Sequence, residues 1–166
     1  HFEDAAASFN LCLKTGNSHK QWVIEDFYER WKDDKAVFNF WLTSQSLAEN
    51  CTVRDLQRLA SVKGYDGKNP NHVRSILRSF IGNLKCYHDP QGEGYRYIAD
   101  KVIEIAQFNP YLAHNYIAVP AFLDFENLPD SQRALMAIQL KRLRIHNAVP
   151  PQTRDLVEKM LKKWKE

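Results

Sequence analysis

Apolar residues recur along this chain at steps of three and four, the spacing that lines up one face of an α-helix. The clearest case follows Asn69-Pro70, where Val73, Ile76, Leu77, Phe80, Ile81 and Leu84 form one stripe. Asn69 suits the cap position because its side chain accepts a hydrogen bond from the first free N–H groups. Pro70 supplies a preset φ where no donor is needed. Before it, Trp22, Ile24, Phe27, Tyr28 and Trp31 make one helix, "KDDKA" breaks it, and Val37, Phe38, Phe40, Trp41 and Leu42 begin another. Thr52 with Asp55 three residues on forms a capping box ahead of Val53, Leu56, Leu59 and Ala60, and "KGYDGKNPN" is a loop.

A turn-rich "YHDPQGEG" then separates the Asn69 helix from a periodic segment, Tyr95 to Phe108, carried by Tyr97, Ile98, Val102, Ile105 and Ala106. Asn109-Pro110 opens a further helix. The two Asn-Pro signals stand forty residues apart, the size of a two-helix armadillo or HEAT repeat. Leu135, Ile138, Leu140 and Leu143 mark one more helix, and Leu156, Met160 and Leu161 the last. Alternating strand-like stretches are missing. The pattern therefore predicts an all-α fold, a superhelical array of antiparallel helix pairs with roughly eight helices, as one domain over residues 1–166.

Composition narrows the picture. A chain of 166 residues that is 44% hydrophobic can build a sizeable core. A net charge of +3, from 23 basic and 20 acidic residues, lacks the basic field of a nucleic-acid binder, so no nucleic-acid partner is expected. Lys159, Lys162, Lys163 and Lys165 make a solvated last turn that suits the helix dipole. The carboxylates Glu25, Asp26, Glu29, Asp33 and Asp34 make a solvated face and turn. No apolar run is long enough to span a bilayer, so no membrane partner is expected. Cys12, Cys51 and Cys86 are scattered and odd in number. They predict buried thiols and an intracellular, reducing compartment, cytoplasm or organelle.

Candidate chemistry is sparse. None of the six histidines is followed by glutamate, so the H-E-x-x-H pair that sets two zinc ligands and a base on one helix face is missing. His72, His88 and His114 are expected to be structural or surface residues, with His72 neutral or turned to solvent because it lies in the first turn of a helix. "GYDGK" lacks the length and ending of a phosphate-binding loop, and no serine or cysteine has the context of an activated nucleophile. By its own residues the chain has no catalytic and no metal-ligating set. Arg74 and Arg78, four apart beside the apolar stripe, either snorkel to solvent or hold an anion.

The order of the motifs is more specific than any one of them. The succession "FYERWKDDKAVFNFWLTSQS", "NPNHVRSILRSFIGN", "YHDPQGEGYRYIADKVIEIAQFNPYLA" and "SQRALMAIQLKRL" resembles the C-terminal helical domain of zinc-dependent alanyl aminopeptidases of the aminopeptidase N type. The resemblance runs from about Asp26 to the last helix. It implies a parent enzyme that removes N-terminal amino acids from peptides, with zinc held by an upstream catalytic domain and no cofactor in this chain. The partners it implies are that catalytic domain, in the same polypeptide, and peptide substrates. The domain would close the active-site chamber and line substrate access. Matched position by position, Arg74 faces the chamber and can take a carboxylate through two parallel hydrogen bonds. Tyr111 and Leu112 fall near the pocket for the substrate's N-terminal side chain. Asn115 stands where bacterial members carry arginine, which makes that part of the chamber less positive, and "AVPAFLDFENLPD" departs from the family's basic-aromatic stretch. The alternative is a stand-alone helical-repeat scaffold that binds a peptide or partner protein along a concave surface.

Overall fold

A computed structural model describes residues 1–14 and 19–164. Among the described residues the chain is all-α, with ten helices where the periodicity predicts roughly eight, and no strand. The excess comes from breaks that apolar spacing does not register, such as the single turn Leu84–Tyr87. The chain gathers into two compact units, His1–Asn83 and Leu84–Glu166. Lys165 of the basic tail lies outside the described residues.

The first unit holds α1 (Phe2–Lys14), α2 (Lys20–Trp31), α3 (Lys35–Ser46), α4 (Val53–Leu59) and α5 (70–82). Helix α3 is its centre and touches the other four. The acidic break before it has a definite purpose, because Asp34 Oδ1 accepts from the N–H groups of Ala36 and Val37 at 3.0 and 3.1 Å. Two aromatic side chains tie neighbouring segments together through their polar ends. Buried Trp41 donates its indole N–H to the Ile24 carbonyl at 3.1 Å, and Tyr28 Oη donates to the Lys63 carbonyl at 2.7 Å. The predicted capping box is present, with Thr52 Oγ1 accepting from Asp55 N–H and Asp55 accepting from Thr52 N–H.

Helix α5 starts as its sequence predicts: the Asn69 side chain accepts from Asn71 and His72 N–H, and Pro70 follows at the first helical position. Val73, Ile76, Leu77, Phe80 and Ile81 are buried. Leu84 is not. Asn83 leaves helical geometry, its amide donates to the carbonyls of Ser46 and Ala48 at 3.1 and 2.9 Å, and Leu84 emerges 61% exposed on the next turn. Trp22 is also exposed, because α2 buries the face of Ile24 and Phe27 and Trp22 lies two positions off it.

The second unit holds α6 (Leu84–Tyr87), α7 (Glu93–Ala106), α8 (110–122), a 3-10 turn (Phe125–Asn127), α9 (Asp130–Ile145) and α10 (Pro151–Trp164). Helix α7 packs on α6, α8 and α9, while α10 packs on α8, α9 and the 3-10 turn. In α9 the buried residues are Met136, Ala137, Leu140 and Leu143, and Ile138 is exposed. In α10, Thr153 and Val157 share the core with Leu161, while Leu156 and Met160 are half-buried.

The start of α7 explains the Gly-x-Gly-Tyr pattern. Gly92 occupies the left-handed region at φ +72°, which suits a residue without a side chain. The Asp89 carboxylate does the capping, accepting from the N–H groups of Gln91, Glu93 and Gly94. Gly94 lets α7 press against α6: a Cβ there would overlap the Tyr87 carbonyl oxygen and stand 3.2 Å from Tyr87 Cα. Backbone cannot swing aside as a side chain can. We expect Gly94→Ala to lower stability by roughly 2–3 kcal/mol, an overpacking cost, measured as an earlier urea midpoint, and Gly82→Ala, with open space around its Cβ, to have little effect; equal midpoints for the two variants would contradict this reading.

Candidate functional site

Both Asn-Pro helices change winding soon after they start. In α5 a π-helical turn spans Arg74–Arg78, and in α8 a longer one spans Leu112–Ala118. Such wide turns inside α-helices are frequent at functional sites. In α8 the sequence carries a visible reason. The buried pairs Leu112-Ala113 and Ile117-Ala118 stand five residues apart, and Ala121-Phe122 follows four later. A five-residue step keeps them on one face only where the helix is widened. The wide turn also ends at Ala118, two residues ahead of Pro120, whose ring in a regular helix would press on the carbonyl four residues back. The stretch "AVPAFLDFENLPD" thus continues a helix through its proline and closes with the 3-10 turn.

The residues singled out in the sequence fall on these two turns. Arg74 is the first residue of the π turn in the first unit. It is half-buried, and its Nη2 donates to Asn71 Oδ1 at 2.6 Å. The Asn-Pro-Asn-x-x-Arg motif therefore has three distinct duties: Asn69 caps the helix, Pro70 sets its first turn, and Asn71 holds the guanidinium. Arg78, at the end of the same turn, is exposed. Tyr111, Leu112 and Asn115 lie together at the start of α8 in the second unit. Tyr111 is 66% exposed, and Leu112, at 2%, packs in the core of its unit. Asn115 is exposed and donates its side-chain amide to the Tyr111 carbonyl at 3.2 Å. Tyr116, which the sequence does not single out, joins this group through an edge contact between its ring and that of Tyr111, centroids 6.0 Å apart. An i+5 aromatic neighbour is invisible to a search at steps of three and four.

The histidines are engaged in structure. His72 Nδ1 accepts from the Asp66 N–H at 2.9 Å, so the neutral ring fastens the loop before α5. His114 Nδ1 lies 2.9 Å from the hydroxyl of fully buried Thr153. His88 belongs to a closed network in which Tyr95 Oη donates to Gln132 Oε1 at 3.1 Å and Gln132 Nε2 donates to the His88 carbonyl at 3.2 Å. The His88 ring nitrogen Nδ1 completes it against Tyr95 Oη. Burial holds all three histidines below the usual value of 6.5, and burial together with the Asp89 charge pushes Tyr95 up to about 12. Among the described residues no group of three or more His, Cys, Asp or Glu is placed to hold a metal ion, and no helix is long and apolar enough to cross a membrane. Cys51 is buried as expected, whereas Cys12 and Cys86 are only half-buried.

The all-helical fold, with Asn-Pro helix starts forty residues apart, has the spacing of a two-helix armadillo-type repeat. Residues 1–162 match the family described as "Domain of unknown function (DUF3458_C) ARM repeats", and the chain belongs to that family. The chain is 29% identical over 161 residues to aminopeptidase N of Haemophilus influenzae, a match covering 96% of this chain and 18% of the relative. It is 25% identical to aminopeptidase N of Caulobacter vibrioides, over 88% of this chain and 17% of the relative. Among solved structures, aminopeptidase A of Legionella pneumophila, crystallised with aspartic acid, superposes with a TM-score of 0.85 at 27% identity, over 95% of this chain and 18% of that one. The chain thus spans less than a fifth of the length of these relatives. The resemblance drawn from the motif order, to the C-terminal helical domain of such enzymes, is borne out.

The three histidines make a pH prediction whose sign is fixed. Their lowered values mean that the folded state favours the neutral rings, while the unfolded chain takes up protons near 6.5. This stability is fully present above that pH and is lost as the pH falls through the lower folded-state values. The urea midpoint is expected to fall between about pH 7.5 and pH 5, and His72→Gln to flatten the fall. A midpoint that rises toward pH 5 would contradict the assignment.

Proposed function

We propose that this chain is the C-terminal helical domain of a zinc-dependent aminopeptidase that removes N-terminal amino acids from peptides, and that it closes the active-site chamber and lines substrate access. The observation that carries this reading is the shape of the match. Nearly all of this chain aligns, in sequence and in fold, with less than a fifth of proteins named as aminopeptidases. The zinc belongs to the catalytic part of the polypeptide, where it supplies the Lewis acid and activated water of peptide hydrolysis. This chain contributes shape and charge.

Arg74 is the residue best suited to a substrate contact. A guanidinium half-buried at a π turn and held by Asn71 has lost much of its rotational freedom already, so a peptide carboxylate can be taken without ordering a long side chain. Tyr111 and Asn115 offer an exposed phenol and an exposed neutral amide at the start of α8. With asparagine rather than arginine at 115, Arg74 would act as a single cationic anchor. The compartment we propose is a reducing one inside the cell, in keeping with the scatter and odd number of Cys12, Cys51 and Cys86.

The test uses the full polypeptide that carries the catalytic part. Arg74→Ala is expected to raise KM for di- and tripeptides by about tenfold, the scale of one charge-assisted hydrogen bond. It should leave KM for an amino-acid amide reporter, which has no free carboxylate, within about twofold. Equal effects on both substrates would remove the carboxylate-anchor role. Removing zinc with a chelator should abolish turnover of both, and turnover that survives would overturn the zinc-enzyme reading.

A further inference from the structure

The first unit contains a cleft of about 480 Å³ between α2, α3, and α4 with the turn that follows it, a size suited to a small molecule. Its floor is apolar, formed by Ile24, Trp41 and Leu59, all buried, with Val62 beside them. One polar side chain interrupts that floor. Gln45 is 7% exposed and lines the cleft, and among the described residues its amide makes only one hydrogen bond, from Nε2 to the Trp41 carbonyl at 3.4 Å. Among the described residues nothing donates to its Oε1, which is open to the cleft. A ligand N–H entering the cleft meets an amide acceptor there with no competing donor from the protein.

The rim adds charge of both signs. Glu25, Glu29, Arg58 and Lys63 all line it. Two of the four are engaged within the fold, Glu29 with Lys32 and Arg58 with Asp55. Among the described residues Glu25 and Lys63 have no ion-pair partner, and Glu25 accepts only from Gln21. Lys63 is positioned by its own backbone, whose carbonyl receives the Tyr28 hydroxyl. The lining thus presents a carboxylate, an ammonium, an amide acceptor and an aromatic floor.

We propose that this cleft binds a free apolar α-amino acid, with the ammonium on Gln45 and Glu25, the carboxylate on Lys63, and the side chain against Trp41 and Ile24. The chemistry of the lining selects the class. An amine alone leaves Lys63 without a partner, a fatty acid alone leaves Gln45 and Glu25 unsatisfied, and a polar amino acid gains nothing from the indole. The site lies within the first unit and does not depend on the role assigned to Arg74, so either can fail without the other.

The test is a two-dimensional NMR titration of the 166-residue chain with L-leucine and L-phenylalanine. Saturable shifts are expected at the Gln45 side-chain amide and the Trp41 indole. Glycine, 3-methylbutylamine and 4-methylpentanoate, which each lack one of the three features, should bind at least about tenfold more weakly. Gln45→Leu and the surface variant Glu25→Gln should each weaken leucine binding by about tenfold with the dispersed spectrum of the folded chain retained. The proposal is overturned if the folded chain shows no saturable shift up to about 50 mM of either amino acid, or if the amine binds as well as leucine. It is equally overturned if a longer polypeptide carrying the catalytic part no longer responds, since the cleft is then a packing seam between segments of one protein.

Discussion

The molecule depends on how its two Asn-Pro helices begin. A helix start leaves N–H groups without partners, and a carbonyl oxygen at Asn69 takes two of them while Pro70 removes the need for a third. At Asn109 the same side-chain oxygen receives the Leu112 N–H at 3.0 Å. Each start lies a few residues ahead of a wide π turn, which begins at Arg74 in one unit and directly after Tyr111 in the other.

Much of this was legible in the sequence because the relevant signals are local. The Asn-Pro starts, the Thr52–Asp55 capping box and the Asp34 break each involve residues no more than four apart, and each forms as written. The armadillo-type architecture followed from their order. Residue-level burial was less legible where it depends on which face a neighbour covers. Trp22 and Ile138 are apolar and exposed because α2 and α9 bury faces two positions away, and Leu84 is exposed because Asn83 is drawn to the end of α3.

The features that shape the candidate site and the cleft were the hardest to see. A five-residue step between Leu112-Ala113 and Ile117-Ala118 is present in the letters, yet it looks like a flaw in a helical pattern until the widened turn explains it. Gly94 gives no local sign that the Tyr87 backbone will lie against it. Gln45 sits in the polar run Thr43-Ser44-Gln45-Ser46 that ends α3, and only the packing of α2 and α4 shows that its side chain lines a cleft. In each case the missing information is a partner distant in sequence or a change in helical winding.

The proposed function keeps the chemistry of peptide hydrolysis outside this chain and leaves it the tasks of enclosing a chamber and presenting one cation. Its central claim is tested most directly by reading the coding sequence upstream of His1. The account predicts an in-frame H-E-x-x-H with a further glutamate ligand beyond it, continuous with this domain. An initiation codon directly before His1, with no catalytic segment in the same reading frame, would contradict it and leave a helical scaffold whose partner is a separate protein.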